Sequence, residues 1–245
     1  MKYGILADIH ANAEALASVL SVLSPEAQRY LVLGDVIGYG AEPNECLELI
    51  SSLDAVCVRG NHEAGVLTGE LSLFSEDARA SLAWTQKVLD GRWRALLDQW
   101  PETAEVEGIF LFHGTPWDPL YAYLRDRKAA ARAFPLFAQS AGLHGHTHFP
   151  QGYRQQKDAG KVEIVPADFN GSMTVRLESG YRYLLNAGSV GQPRDGWPEA
   201  CAVLLDTSAR TFTIRRVPYD AESAAAKIRR AGLPGALASR LLRGV

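Results

Sequence analysis

Three short apolar runs, Tyr3 to Ala7, Tyr30 to Leu33 and Ala55 to Val58, show no polar alternation, and helix-period segments separate them. Runs of this kind are strands buried on both faces. Between the first two, Asn12 stands as an N-cap for a helix carrying Ala15, Leu16, Val19, Leu20 and Leu23, and Pro25 stops it. Between the second and third, Pro43 sits at a helix start and the helix runs to about Ser52. Strands alternating with helices in this way build a parallel sheet with right-handed crossovers and helices on its faces.

Further along, Ser75 to Trp100 has a helical pattern interrupted at Gly91 and closed by Pro101, which predicts a helical insertion over about 64–101. Ile109 to Phe112 is a strand, Asp126 to Ala138 is helical, and Gly142-Leu143 begins another strand. From Gly152 to Arg216 the pattern changes to antiparallel strands separated by turns such as Glu178-Ser179-Gly180. A helix pair broken at Gly232-Leu233-Pro234-Gly235 forms a C-terminal tail over about 220–245. Without repeats or linkers, residues 1–245 read as one domain with two sheets stacked between helical layers.

The ends of the apolar runs share one grammar: a Gly beside an Asp, Asn or His. They read Asp8-Ile9-His10, Gly34-Asp35, Gly60-Asn61-His62-Glu63, His113-Gly114 and Gly145-His146-Thr147-His148. Of 6 histidines in the chain, only His144 lies outside these runs. Ligands of open α/β sheets gather beyond the carboxyl ends of the strands. Side chains two apart on a strand share a side, so Asp8 with His10, and His146 with His148, converge if extended backbone persists. Asp8, His10, Asp35, Asn61, His113, His146 and His148 are too many ligands for one tetrahedral ion and suit two ions sharing a carboxylate. Carboxylate and imidazole without thiolate favour two divalent ions of the Mn, Fe, Zn or Ni type. Manganese is the first expectation, and Mg is also compatible.

Composition narrows the partners. A formal net charge of −3 argues against nucleic acid held by blanket phosphate neutralisation. No apolar run is long enough to span a bilayer, and the start of the chain does not read as a signal peptide. The 3 cysteines (Cys46, Cys57, Cys201) read as reduced thiols, so the expected setting is cytoplasmic. Edge strands of the C-terminal sheet offer a route to a homo-oligomer.

Together the five runs resemble the motifs of the calcineurin-like metallophosphoesterase superfamily, in its order, over roughly residues 8 to 148. The resemblance implies an α/β fold, a four-layer αββα sandwich of two mixed β-sheets flanked by helices. It also implies that a binuclear centre hydrolyses phosphoesters by attack of a metal-activated water. One metal would take Asp8, His10, Asp35 and His148; the other would take Asp35, Asn61, His113 and His146. His62 would act as general acid or hold the phosphate, from outside the ligand set. Val58-Arg59-Gly60-Asn61-His62-Glu63 is similar to the run in Ser/Thr protein phosphatases, where the Arg contacts phosphate. Those enzymes have an Asp and an Arg where this chain has Gly38 and Tyr39, which argues against a protein phosphatase. The run Asn186 to Arg194 resembles small prokaryotic members, some related to diadenosine polyphosphate hydrolases. The implied substrate is small: a phosphomonoester, a phosphodiester, or a nucleotide such as a diadenosine polyphosphate. The rival is a catalytically silent metal-binding scaffold, which the complete motif set disfavours.

Arg59, Tyr39 and Arg194 are the candidate substrate contacts. Trp117 is a loop residue placed to line the pocket, His144 reads as a neighbour that orients a ligand or packs, and Trp84, Trp93 and Trp100 read as core.

Overall fold

The computed structural model describes residues 1–157, 160–165 and 172–245. Its strands are β1 (Lys2–Leu6), β2 (Arg29–Val32), β3 (Ala55–Cys57), β4 (Thr103–Val106), β5 (Ile109–Phe112), β6 (Ala141–His144), β7 (Pro150–Gln156), β8 (Val162–Val165), β9 (Ser172–Arg176), β10 (Tyr181–Ala187), β11 (Ala200–Asp206) and β12 (Thr211–Val217). The helices are α1 (Ala13–Leu23), α2 (Pro43–Ser51), α3 (Asn61–Thr68), α4 (Glu76–Val88), α5 (Gly91–Asp98), α6 (Arg127–Ala133), α7 (Ala221–Arg230) and α8 (Gly235–Arg243).

The strands form two 6-stranded sheets, in the orders β3-β2-β1-β11-β12-β9 and β4-β5-β6-β10-β7-β8. As the alternation of strand and helix requires, β1, β2 and β3 run parallel. The antiparallel β11 joins them, so the sheet is mixed. In the second sheet β5, β6 and β10 are parallel and β7 returns antiparallel.

Strand period 2 divides the core. Tyr3, Ile5, Leu31 and Val203 meet Leu111, Leu143 and Leu185 between the sheets. The opposite face of the first sheet, with Leu6, Val32 and Leu204, packs against Leu16 and Val19 of α1 and Ile228 and Leu237 of the C-terminal helices. On the second sheet, Phe112, Tyr153 and Leu184 pack against Ala130 and Ala133 of α6. The result is the αββα arrangement. Trp93 and Trp100 are core residues and Trp84 packs at its margin. Among the described residues, no helix is long and apolar enough to cross a membrane.

Two elements are not legible as sequence patterns. Gly60-Asn61-His62-Glu63 opens a helix, α3, whose cap amide at Gly60 donates to Glu63 Oε2 at 2.9 Å. That reach-back is half of a capping box, and the three-residue spacing to a Glu was its available signal. The strand β4 is a short edge strand with an exposed Glu105, so it carries little apolar pattern.

Candidate metal centre

The parallel strands deliver the site. Asp8 and His10 follow β1, Asp35 follows β2, and Asn61 and His62 begin α3 just after β3. His113 follows β5, and His146 and His148 follow β6. All seven expected ligands are brought to one place and none is more than 7 % exposed.

They do not arrive by strand parity. The extended backbone ends at Leu6 and at His144. Asp8, His10, Asp35, His146 and His148 are all left-handed, with φ of 52°, 50°, 55°, 67° and 61°. For a residue with a Cβ each such conformation costs about 1–3 kcal/mol and persists only where surroundings enforce it. Here the enforcement is visible. The Asp8 amide donates to the Gly34 carbonyl at 3.1 Å, and the His10 amide to the Asp35 carbonyl at 2.9 Å. The His146 amide donates to both Asp8 carboxylate oxygens, at 3.1 and 3.0 Å. Glu63, wholly buried, accepts the amides of Asp35, Val36, Ile37 and Gly60 at 2.8–3.1 Å, clasping the turn that presents Asp35. Gly60 is required by close approach: a Cβ there would lie 2.2 Å from Asp35 Oδ1.

Four imidazoles are oriented by backbone carbonyls. His10 Nδ1 faces Ile37 O at 3.3 Å, His113 Nδ1 faces Leu33 O at 2.7 Å, His148 Nδ1 faces Gln192 O at 2.5 Å, and His146 Nε2 faces Tyr121 O at 3.2 Å. A carbonyl only accepts, so each of these nitrogens carries the proton and the other nitrogen of the ring presents a lone pair. Those lone pairs point at one another. His10 Nε2 and His148 Nε2 are 3.1 Å apart, and His113 Nε2 is 3.0 Å from His146 Nδ1 and 3.1 Å from Asn61 Oδ1. Asp8 Oδ1 lies 3.4 Å from His148 Nε2, and Asp35 Oδ2 lies 3.2 Å from His113 Nε2 and 3.8 Å from His10 Nε2.

A buried set of acceptors facing one another favours a cation between them, or protons that stand in for one. The spacing agrees, because donors about 2.1 Å from a metal lie about 3.0 Å apart in octahedral and about 3.4 Å apart in tetrahedral geometry. Asp8, His10 and His148 form one potential metal cluster and Asp35, His113 and His146 another. Asp35 also groups with His10 and His62, and so adjoins both.

The electrostatics agree. Among the described residues, the ion-pair partners of Asp8 and Asp35 are histidines only. Burial pushes Asp8 up to about 8. Burial alone would also raise Asp35, but the charge and hydrogen bond of His113, with help from His62, hold it well below the usual carboxylate range. Burial would lower His113, yet Asp35 outweighs it and the imidazole rises to about 9. That proton stands in for missing positive charge. Burial lowers His10 and His148 well below the ordinary histidine value and takes His146 to about 3.

Beside the cluster opens a cleft of about 420 Å³, lined by Asp35, Asn61, His62, His146 and His148, by the aromatic rings of Tyr39, Phe74, Tyr121 and Tyr123, and by Arg194 and Arg240. His62 lies in its wall, its ring 4.5 Å from Tyr39 and 5.4 Å from Phe74. Its Nδ1 is buried without a hydrogen-bond partner, and burial lowers the ring to about 4. A Cβ at Gly38, whose φ is +84°, would stand 2.0 Å from that nitrogen. Gly38 therefore leaves no side chain beside Nδ1, and the carboxylate within ion-pair distance of the ring is Asp35, 3.9 Å from Nε2.

Several expected residues lie elsewhere. Arg59 is not brought to the cleft, because its guanidinium donates twice to the Trp100 carbonyl, at 3.2 and 3.0 Å. Trp117 is held under Arg132, 4.2 Å from its ring centroid, and does not line the cleft. His144 stacks on Phe112 with centroids 5.5 Å apart, and its Nδ1 faces Asn186 Nδ2 at 3.1 Å, outside the metal clusters. The run from Asn186 to Arg194 braces the first turn: the Ser189 hydroxyl donates to Asp8 O at 2.8 Å, and Asn12 Nδ2 donates to Gly191 O at 2.9 Å. Phe74, Tyr121, Tyr123 and Arg240 line the cleft unannounced. Only tertiary docking brings them there.

The profile of the calcineurin-like phosphoesterase family matches residues 1–169. The uncharacterized protein MJ0912 of Methanocaldococcus jannaschii is 33% identical over 253 residues, covering 98% of this chain and 97% of its own. The crystal structure of a metallophosphoesterase from Sphaerobacter thermophilus is 35% identical and superposes with a TM-score of 0.87, covering 100% of this chain and 99% of that one. A hypothetical protein from Pyrococcus horikoshii, PH1004, shares the fold at 18% identity, with a TM-score of 0.81 over 100% of this chain and 98% of its own. With its motifs at the carboxyl ends of a two-sheet sandwich and its profile matched over more than half its length, the chain belongs to the calcineurin-like phosphoesterase family.

Proposed function

We propose that this protein is a binuclear metal-dependent hydrolase of small phosphomonoesters, phosphodiesters or nucleotides, with diadenosine polyphosphates as the narrower alternative. The observation that carries the reading is the buried set of acceptors aimed at one another. Asp8, His10, Asp35 and His148 would hold one ion and Asp35, Asn61, His113 and His146 the other, with manganese the first candidate. Two such ions polarise a phosphoryl oxygen and lower the pKa of water at neutral pH.

The chain's own residues do the rest. Backbone carbonyls fix the tautomer of each ligating imidazole, keeping the lone pairs on target without an added charge. Tyr39 and Arg194 border the cleft where the phosphate and its ester group would lie. His62 is the catalytic candidate, and its pKa of about 4 leaves it neutral at pH 7. A neutral imidazole donates a hydrogen bond to a departing oxygen but holds no spare proton. Such a site suits leaving groups of low basicity, an aryl oxide or a phosphate, more than a simple alkoxide. Reduced cysteines fit a cytoplasmic setting: burial raises the thiol of Cys46 well above its ordinary value and that of Cys57 to about 12.

The test is hydrolysis of bis-p-nitrophenyl phosphate, p-nitrophenyl phosphate and diadenosine tetraphosphate by metal-stripped protein, then with Mn, Ni, Zn or Mg restored. Turnover should return with metal. His62→Ala should keep the metals and lose about 10²–10⁴-fold in turnover, the usual range for a general acid or base. Silence with every metal, while two ions still bind, points to a scaffold instead.

A further inference from the structure

The cleft has two arginines, and they come from elements far apart in sequence. Arg194 lies in the loop after β10, and Arg240 lies on α8, beyond the residues matched by the family profile. Some arginines elsewhere are neutralised, as Arg29 is by Asp54, Arg92 by Glu48 and Arg215 by Glu26; what distinguishes Arg194 and Arg240 is that they share the cleft beside the metal cluster. Asp195, the carboxylate next to Arg194 in sequence, is already taken by Arg216. Arg194 Nη2 donates to Gln192 Oε1 at 2.9 Å and the guanidinium also meets the Tyr39 side chain, while its Nε is buried with no partner. Among the described residues neither Arg194 nor Arg240 has a carboxylate within ion-pair distance.

These cations are held by a clasped structure. Leu237, Ala238 and Leu241 bury one side of α8, which leaves Arg240 on the side facing the cleft. The Gly196 amide, two residues past Arg194, donates to the Gly244 carbonyl at 2.9 Å and ties the loop to the end of the helix. Two guanidiniums with no carboxylate in direct contact line one cleft and keep hydrogen-bond donors free for a ligand. A ligand bearing negative charge gains charge-assisted hydrogen bonds there.

The scissile phosphate would already be met by the metal cluster and His62. We infer that Arg194 and Arg240 form a subsite for a second phosphate, so that the preferred substrate carries a phosphate beyond the one attacked, joined to it as in a phosphoanhydride. The inference rests on the phosphoesterase reading for its first phosphate.

The experiment is calorimetric binding of adenosine monophosphate and of the non-hydrolysable α,β-methylene analogue of adenosine diphosphate to metal-loaded protein. It needs no turnover. The wild type should bind the two-phosphate probe about tenfold tighter or better, as expected for an added charge-assisted contact. Arg240→Gln should collapse that ratio to about threefold or less, and Arg240→Lys should retain an intermediate ratio because the charge stays while the planar fork is lost. A wild-type ratio near one would overturn the subsite, and so would an Arg240→Gln variant that weakens both probes in parallel. Hydrolysis of p-nitrophenyl phosphate with a ratio near one sinks only the subsite; the expected ratios without any hydrolysis sink only the enzyme reading.

Discussion

Among the described residues nine left-handed residues carry side chains; Ala11 and Tyr39 lie in the loops beside the site, and the other seven fall in two kinds of place. Five are expected metal ligands at the ends of parallel strands, while Glu107 and Arg210, with φ of 47° and 57°, sit at exposed hairpin turns between β4 and β5 and between β11 and β12. The intrinsic cost is similar, about 1–2 kcal/mol per residue. What surrounds it differs. In the hairpins the turn is closed by backbone: Gly108 supplies the second positive φ of one turn, and the Arg210 carbonyl accepts the Leu177 amide at 2.8 Å. At the site the amides of Asp8, His10, Asp35 and His146 are each held by a partner from another segment, Gly34, Asp35, Glu63 and Asp8 respectively, and the side chains of these residues face the shared cluster. Strain that carries chemistry is over-determined; strain that only turns the chain is not.

The strongest way to break the comparison is to remove the residue on which both metal clusters converge. Asp35→Asn should lower turnover about 10³-fold or more, because several kcal/mol of charge stabilisation disappear. Metal content and turnover of bis-p-nitrophenyl phosphate read it together. A variant with full metal content and near-normal rate would remove Asp35 from the centre of the site. Next comes the clasp. Glu63→Gln replaces one carboxylate oxygen by an NH₂ group, so two of the four amides that it holds lose their acceptor. At about 1–3 kcal/mol for each orphaned buried donor, denaturant melts should show a loss of about 2 kcal/mol or more. An unchanged midpoint would mean that the Asp35 turn holds its own strain.

Gly38→Ala sharpens the contrast between conformation and chemistry at one position. The new methyl would overlap His62 Nδ1, at 2.0 Å, and would also sit at a φ of +84°. The expected result is a fall in kcat of about tenfold to a hundredfold with metal content retained, since placement of a catalytic group within about 1 Å is worth that much.

How much of this could be read in advance follows the same division. Unbroken apolar runs and the prolines at positions 25 and 43 marked the first three strands and two helices; β1 and β2 are buried as such runs imply, whereas β3, at the sheet edge, is only half-buried. That Asp8, His10, Asp35, Asn61, His113, His146 and His148 gather in one place was legible, because Asp and His beside Gly are an odd choice for strand ends. The geometry was not. Strand parity placed Asp8 and His10 on one side through extended backbone, whereas the strand stops at Leu6 and left-handed turns bring the pair together. Arg240 shows a different limit. The apolar stripe of α8 forecasts that Leu237, Ala238 and Leu241 are buried, but nothing local says which loop the helix docks beside.

A smaller effect concerns protons. In the metal-free protein Asp35 outweighs burial and raises His113 to about 9, above the ordinary histidine value of 6.5. A raised pKa means that this interaction stabilises the metal-free fold fully below about pH 6.5 and is lost as pH rises through about 9. Metal needs the bare nitrogen, so loading expels this proton. Apparent affinity should therefore rise by about tenfold per pH unit below about pH 9 for this one proton and level off above it. Calorimetry in buffers of different ionisation enthalpy measures the proton release. Flat affinity between pH 6 and 8 would exclude His113 as the group displaced.

The smallest effect tests the hairpin side of the comparison. At Arg210 the left-handed backbone is needed and the exposed side chain is not, so Arg210→Gly relieves about 1–2 kcal/mol of local strain. Against this, glycine makes the unfolded chain freer, which costs about 0.5–1 kcal/mol. The carbonyl that receives the Leu177 amide is untouched. The net expectation is a gain of about 0.5–1 kcal/mol, a rise in Tm of about 1–4 °C for a chain of this size, with metal binding unaltered. A fall in Tm would show that the Arg210 side chain, and not only its backbone, holds the turn, and the division between the two kinds of strain would fail there.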